Sequence, residues 1–186
     1  NLLLAEESFL RSLLLSLKDN NCNRLAISLK FEGLRLMPIA IRLCQNLLLE
    51  NINNFLLWPD EGGAALARNK YVNQSEFIFS LSSFKRNKII DIDPNSLLII
   101  ISPQHYDYED LENLCSLTTN NILMLNGRFE DPNIGMGSVA RKRRREFISS
   151  WNYIYSLEPI NNGAVLKEHP NDWYLFINND DGYKYI

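Results

Sequence analysis

The amino-acid sequence predicts an α/β fold, with a mostly parallel central sheet, helices on both faces and a C-terminal antiparallel meander along one edge. Two observations predict this class. Helical and strand-like segments alternate as far as Ser150, which is typical of βαβ units. After Ser150, short strand-like runs are separated by Asn-Gly, Pro-Asn and Asp-Gly turns, which is typical of a meander. No repeat or linker interrupts the pattern, so we expect residues 1–186 to form a single domain.

The first half of the chain alternates between two hydrophobic periods. Leucines at positions 10, 13, 14 and 17 have the spacing of an amphipathic helix. Residues 24–31 then alternate apolar and polar side chains, which predicts a strand. The helical period returns over residues 36–50, where Pro38 lies in the first turn and its missing N–H has no cost. The following segments predict a strand at 54–58, a small Ala-rich helix at 64–69 and a strand at 76–81.

The second half contains the strongest strand signal. Residues 97–101 are continuously apolar and lie between two Pro-containing turns, as expected for a strand in the middle of a parallel sheet. A helix is predicted at 108–117 and a strand at 121–125, followed by a loop rich in Gly, Asn, Pro and Asp. A helix at 138–150 precedes the meander, whose predicted strands are 153–157, 164–168, 173–177 and 183–186.

Composition excludes several classes of function. The 186 residues carry 19 Lys and Arg against 22 Asp and Glu, a net charge of -3, which argues against a nucleic-acid binder. The three cysteines and two histidines are scattered, so we expect buried thiols and no metal site. No apolar run approaches the roughly 20 residues of a membrane span. Because no Met opens the chain, we expect Asn1 to be a trimmed start that has lost any targeting segment.

One glycine-rich segment resembles a dinucleotide-binding fingerprint. Residues 135–140 read G-x-G-x-x-A, and Glu158 follows near the position of a ribose-binding acid. The fingerprint requires a strand directly before it, whereas the predicted strand ends at Leu125. We therefore interpret the segment as a loop with Ser138 as the helix N-cap, and expect no cofactor.

A run of five basic residues at 141–145 follows on the same predicted helix. On a helical wheel, three of them lie opposite the apolar side and are candidates for docking an acidic partner: Arg141, Lys142 and Arg145. Arg143 and Arg144 lie within or beside the apolar arc, where a guanidinium needs a carboxylate or a bound anion. We favour an internal salt bridge over an anion site; the candidate partners are Asp60, Glu61, Glu130 and Asp131.

The turn after the strand at 54–58 is a second candidate for anion binding. Asp60, Gly62 and Gly63 lie at the start of a predicted helix, whose N–H groups could receive a phosphate or carboxylate. The spacing is not that of a P-loop, and the glycines more simply permit chain reversal and close packing. No nucleophile is placed with a base, so the sequence predicts no catalytic residue and favours a non-enzyme.

Six short segments, taken in order, resemble a known family. The chain is similar to the uncharacterised domain of cyanobacteria and plastids of the low-photosystem-II-accumulation type, which also forms a C-terminal extension of a plastid adenylate kinase. The kinase activity belongs to a P-loop domain that this sequence lacks. The segments that carry the resemblance are Leu57-Trp58-Pro59-Asp60, 63–68, 100–104, 123–126, 135–147 and Glu168-His169-Pro170-Asn171-Asp172-Trp173.

The resemblance implies an accessory factor in photosynthesis. It predicts a non-enzymatic protein of the cytoplasm or plastid stroma, peripherally associated with thylakoids, that assists the assembly of photosystem subunits by protein–protein docking. The expected partners are photosystem subunits or their assembly factors. The alternative is a protein that binds, or an enzyme that acts on, a phosphorylated or carboxylated metabolite at the carboxyl ends of the strands. In that case Arg128, Arg143 and Arg144 would hold the anion.

Overall fold

The structure is a computed structural model that describes residues 2–19, 22–87, 92–129, 137–179 and 182–185. Within these ranges it contains helices and strands in nearly strict alternation, followed by a run of strands. The helices are α1 (Leu2–Asp19), α2 (Leu36–Leu49), α3 (Glu61–Lys70), α4 (Leu81–Asn87), α5 (Tyr108–Leu117) and α6 (Ser138–Ser149). The strands are β1 (Arg24–Leu29), β2 (Asn54–Trp58), β3 (Ile78–Ser80), β4 (Leu97–Ile101), β5 (Ile122–Leu125), β6 (Asn152–Ile160), β7 (Gly163–Glu168), β8 (Trp173–Asn179) and β9 (Gly182–Tyr185).

These strands form one mixed sheet in the order β3-β2-β4-β5-β1-β6-β7-β8-β9. Strands β1 to β6 pair in parallel, and β6 to β9 pair antiparallel. The predicted fold class is confirmed, including the meander that extends one edge of the sheet.

The direction of each crossover decides which face its helix covers. From β1 to β3 the chain moves toward one edge of the sheet, and from β3 to β6 it moves back. Because crossovers are right-handed, the two directions place helices on opposite faces. Accordingly, one core contains Phe9, Leu43 and Ala64 of α1 to α3. The other core contains Phe84, Leu111 and Phe147 of α4 to α6.

Several predicted boundaries differ from the structure, and two of the differences have a clear local cause. The strand expected at 76–81 is divided among a 3-10 helix ending at Phe77, the short β3 and the start of α4. Ser80 ends the strand because its hydroxyl accepts a hydrogen bond from the Ser83 N–H at 3.2 Å, which caps the next helix. Ser138 is the first residue of α6 rather than its N-cap, a position taken by Gly137 without a side-chain cap.

Helix α1 fastens the meander to the parallel half. Its Phe9 ring packs edge-on against Tyr155 of β6, with 6.0 Å between the ring centroids. The Ser8 hydroxyl donates to Glu168 of β7, and the His169 ring lies 3.0 Å from the Asp19 carboxylate. Helix α1 therefore covers β6 and β7 on one face.

Candidate functional site

The topology opens two crevices at the carboxyl edge of the parallel strands. The chain leaves β2 toward α3 and the neighbouring β4 toward α5, which lie on opposite faces. The adjacent strands β1 and β5 are likewise followed by helices on opposite faces. Neighbouring strands whose connections diverge leave a gap beyond their carboxyl ends, where open α/β sheets bind ligands.

The first gap, which we call the β1–β5 crevice, has a volume of about 880 Å³. Its lining contains the basic side chains of Lys30 and Arg128, the His105 imidazole and a single acidic residue, Glu32. Lys30 shares its charge with Glu158, with 3.1 Å between the Nζ and Oε2 atoms. The apolar side chains in its lining are Leu29, Phe31, Leu34 and Leu36.

The second gap, the β2–β4 crevice, has a volume of about 630 Å³ and is acidic. It contains Asp60 and Asp107, and the Asp107 carboxylate accepts a hydrogen bond from the Gln104 N–H at 2.7 Å. Burial raises the pKa of Asp107, and the negative charges of Asp110 and Asp60 add to this effect. Arg128 and Gln104 line both crevices and separate the acidic one from the basic one.

The residues that follow β4 and β5, at the edge of these crevices, have an unusual backbone conformation. Ser102 after β4 and Asn126 after β5 both have a left-handed conformation, with φ of 48° and 53°, which is costly for residues other than glycine. The Asn126 amide offsets this cost by bonding both backbone groups of Leu29, accepting from N–H at 2.6 Å and donating to C=O at 2.8 Å. Just beyond, Gln104 and Arg128 form a further β-bridge. The position of Arg128 is therefore set by the sheet.

The structure does not bring the three predicted anion-binding arginines together. Arg128 lines the crevices, and its guanidinium pairs with no carboxylate in the described part of the chain. Arg143 and Arg144 instead line a groove of about 1180 Å³ between α5 and α6. The structure therefore places Arg143 and Arg144 in a different cavity from Arg128.

Arg143 and Arg144 are used differently from each other. Arg143 forms a bidentate ion pair with Glu112 of α5, at 3.0 and 2.7 Å, although its side chain is 71% exposed. Arg144 is buried, stacks over the Tyr108 ring at 4.7 Å and donates to the His105 carbonyl at 3.3 Å. Its Nε has no hydrogen-bond partner among the described residues.

The acidic partners proposed for these arginines have other roles, where the structure describes them. Asp60 caps α3 and Glu61 pairs with Arg68 of the same helix. Glu130 and Asp131, the other two predicted partners, lie outside the described residues. The internal salt bridge expected for Arg143 exists, but with Glu112.

The glycine turn before α3, the second candidate for anion binding, is capped by its own Asp60. The Gly63 N–H donates to the Asp60 carboxylate at 2.8 Å, so the helix terminus is already occupied by a negative group. A Cβ on Gly63 would lie 2.7 Å from the Trp58 ring, and one on Gly62 would lie 3.0 Å from Asp60. Close packing and capping, rather than ligand binding, explain these glycines.

The basic run on α6 is only partly directed to solvent. Lys142 and Arg145 are exposed, and Lys142 makes a long ion pair of 3.8 Å with Glu146. Arg141, predicted to face solvent, is half-buried, and its Nε lacks a hydrogen-bond partner within the described ranges. The candidate docking charges are therefore Lys142 and Arg145.

Sequence reasoning missed an apolar surface on the meander. Val165, Trp173, Leu175 and Ile177 lie on the face of β7 and β8 opposite to Leu166, whose side chain packs against the α1-side core. This set, which we call the open face, is on the same side of the sheet as α6. Trp173 is 54% exposed and Leu175 39% exposed. The signal was present in the sequence, because residues 173–177 are all apolar or aromatic. Successive side chains of a strand point to opposite faces, so this strand presents apolar side chains on both faces of the sheet.

Other candidate groups show no chemistry of their own. Burial raises the pKa of the Cys44 thiol to about 12 and that of Cys115 to about 11, which leaves both protonated and unreactive at neutral pH.

In the described ranges no three Cys, His, Asp or Glu side chains lie close enough together to bind a metal ion. None of the helices described combines the length and hydropathy needed to cross a bilayer. Gly135 and Met136 of the fingerprint at 135–140 lie outside the described residues, and Ser138–Ala140 are in the first turn of α6.

The fold and its surfaces define a doubly wound α/β protein with two strand-end crevices and an uncovered apolar sheet face. The chain belongs to the DUF1995 family, a domain of unknown function, whose family model matches residues 5–186. No curated protein matches this chain.

Proposed function

We propose that this protein is a non-enzymatic accessory or assembly factor for photosynthetic membrane complexes. It acts by docking onto a photosystem subunit or another assembly factor, at the thylakoid surface in plastid stroma or cyanobacterial cytoplasm. The proposal rests on the resemblance to the low-photosystem-II-accumulation domain and on one structural observation. That observation is an apolar sheet face left uncovered on the side of the sheet that carries the basic helix α6.

The open face has the composition of a protein-binding surface. Trp173 provides a large aromatic side chain at low entropic cost, and Leu175 is next to it on the same face of β8. Aromatic anchors of this kind account for most of the binding energy at protein interfaces. Contiguous apolar surface is otherwise avoided on soluble domains because it promotes association.

The charges near the open face select the kind of partner. Lys184 of β9 lies opposite Ile177 on the same face, and Lys167 of β7 lies opposite Trp173, where it pairs with Asp172 at 3.9 Å and donates to the Asn171 carbonyl at 2.6 Å. Lys142 and Arg145 are exposed on α6. This arrangement fits a protein partner with an acidic rim around an apolar patch, because complementary charges speed encounter and exclude wrong partners.

Affinity purification from the native host, with mass spectrometry of the recovered proteins, tests the proposal. We expect the wild-type protein to recover photosystem subunits or their assembly factors. The Trp173→Ser/Leu175→Ser variant should lose about tenfold or more of that recovery, because each removes an interface anchor. The Lys142→Glu/Arg145→Glu variant should lose a smaller fraction, and the loss should shrink at high salt.

A matched control reverses two charges on the other side of the sheet. Arg11→Glu/Lys18→Glu changes the same net charge on exposed positions of α1 and should leave recovery unchanged. Equal recovery by the wild type and both docking variants would refute the proposed surface. Recovery of no photosystem component by the wild type would refute the proposed function.

A further inference from the structure

We infer that the β1–β5 crevice binds a small organic anion, with one carboxylate or phosphate head group held near Arg128 and an apolar body against Phe31. This ligand site goes beyond the docking function, because it uses the carboxyl edge of the parallel strands rather than the open face.

The first argument is the position of the crevice. It lies between two adjacent strands, β1 and β5, whose connections leave toward opposite faces of the sheet. This is the arrangement in which open α/β sheets bind ligands. Its volume of about 880 Å³ falls within the range of small-molecule sites.

The second argument is the Arg128 guanidinium. Of the two Lys and Arg side chains in the lining, Lys30 is paired with Glu158 at 3.1 Å, so Arg128 is the cation offered to a ligand. Within the described part of the chain the Arg128 guanidinium has no carboxylate partner, while its backbone N–H is fixed to the Pro103 carbonyl at 2.8 Å. A held backbone with an uncommitted guanidinium is suited to bidentate binding of a carboxylate or phosphate.

The third argument limits the ligand to one anionic head group. The neighbouring β2–β4 crevice shares Arg128 and Gln104 but contains Asp60 and Asp107. A second anionic group reaching into that crevice would meet two carboxylates, one of which already has a raised pKa from burial and neighbouring charges. Repulsion between that anionic group and the two carboxylates would weaken binding. A dinucleotide or bisphosphate is thereby disfavoured.

The fourth argument concerns the rest of the ligand. Phe31, Leu34 and Leu36 contribute apolar surface to the same lining as Arg128. The Phe31 side chain is partly exposed to the crevice rather than buried in the core. An aryl or alkyl body would cover this surface and gain free energy in proportion to the apolar area removed from water.

Thermal unfolding of the full chain with three probes tests the inference. Phenyl phosphate and phenylacetate carry the two possible head groups on the same body, and phenethyl alcohol is the neutral control. We expect the melting temperature to rise with the concentration of one or both anions, since a ligand of the native state stabilises it by mass action. The alcohol should have little effect. Equal stabilisation by the alcohol would overturn the inference.

Two variants assign the effect to the crevice. Arg128→Gln removes the guanidinium charge from an exposed side chain and should weaken binding of the effective anion by about tenfold or more, as expected for loss of a charge-assisted pair. Phe31→Ser should weaken phenyl phosphate or phenylacetate but leave inorganic phosphate unchanged. Arg11→Gln, on α1, is the matched control and should bind like the wild type.

The outcomes are separable from those of the docking function. Arg128→Gln should recover photosystem components as well as the wild type does, because Arg128 is not part of the open face. An Arg128→Gln protein that binds the anions as well as the wild type would overturn the ligand site and leave the docking proposal intact.

Discussion

The parallel half of the sheet and the C-terminal meander belong to one continuous hydrogen-bonded sheet, but their side chains differ sharply in burial. Every residue of β4 is buried, and Leu98, Ile99 and Ile100 are fully inaccessible. In β8 no residue is fully buried, and Trp173 and Leu175 are exposed. The difference follows from connectivity. Parallel strands require crossover helices, which cover both faces, whereas hairpins bring no helix with them.

Because of this contrast, we expect the parallel half to determine stability and the meander to serve in recognition. The parallel half contains nearly all of the two hydrophobic cores. The meander has one face partly covered by α1, while Tyr183 and Tyr185 of β9 remain exposed beyond it. We therefore expect substitutions in the two regions to differ in what they damage.

The largest expected effect comes from a pair of Leu→Ala substitutions. Leu98→Ala in β4 should lower the free energy of unfolding by about 2–5 kcal/mol, because it leaves a cavity in a packed core. Leu175→Ala in β8 should lower it by about 1 kcal/mol or less, since much of that side chain is already in water. Urea unfolding followed by circular dichroism measures both. Equal losses would mean that the meander is as much a part of the core as β4.

A smaller effect is expected from a glycine within the meander. A Cβ on Gly163 would lie 2.3 Å from the Phe176 carbonyl oxygen, so Gly163→Ala should push β7 from β8 and cost about 1–3 kcal/mol. Hydrogen exchange should show loss of protection in β8 and β9 while β4 stays protected.

The control for this prediction is Gly137→Ala, where a Cβ would meet no atom within 4 Å. That variant should lower stability by about 1 kcal/mol or less, through the α6 N-cap alone, and should leave the protection of β8 and β9 unchanged. Simultaneous loss of protection in β4 and β8 would show that the two halves unfold as one unit.

The smallest effect concerns two thiols in the parallel half. Burial raises the pKa of Cys44 to about 12 and that of Cys115 to about 11, from the ordinary thiol value of 9.0. The unfolded thiols therefore lose protons first, so the stabilisation present below pH 9 is lost as the pH rises through this range. Between pH 8 and 10 each thiol should cost on the order of 1 kcal/mol.

Urea unfolding at a series of pH values, compared with a Cys44→Ala/Cys115→Ala variant, tests this effect. The variant should show a shallower decline above pH 8. At pH 8, iodoacetamide should modify the half-buried Cys22 well before the two buried thiols. If the free energy of unfolding of the variant fell equally steeply with pH, the two buried thiols would not be the cause of the decline.

Periodicity predicted the elements best where burial and pattern coincide. The strands at Asn54–Trp58 and Leu97–Ile101 begin and end as predicted, because a fully buried strand is apolar throughout and flanked by turn residues. The region around β3 was mispredicted, since a three-residue strand is too short to establish a period. There, the Ser80 cap decided where the strand ended.

The candidate site was predictable in part. The carboxyl ends of the strands were predicted as ligand-binding positions, and Arg128 lies there. Arg143 and Arg144 line a different groove from Arg128, which a helical wheel could not predict, because it indicates which side of α6 is apolar but not where α6 lies on the sheet. Glu112, the partner of Arg143, is on α5, and only the tertiary structure shows that α5 lies next to α6.

By itself, the sequence determined the α/β class, most strands and helices and the antiparallel end, because these depend on local periodicity and turn chemistry. Only the tertiary structure decided the strand order, and hence the two crevices. It also decided that Asp60 caps its own helix and that one face of the meander stays uncovered. Strand order and face coverage arise from contacts between residues far apart in the chain, to which no local pattern is sensitive.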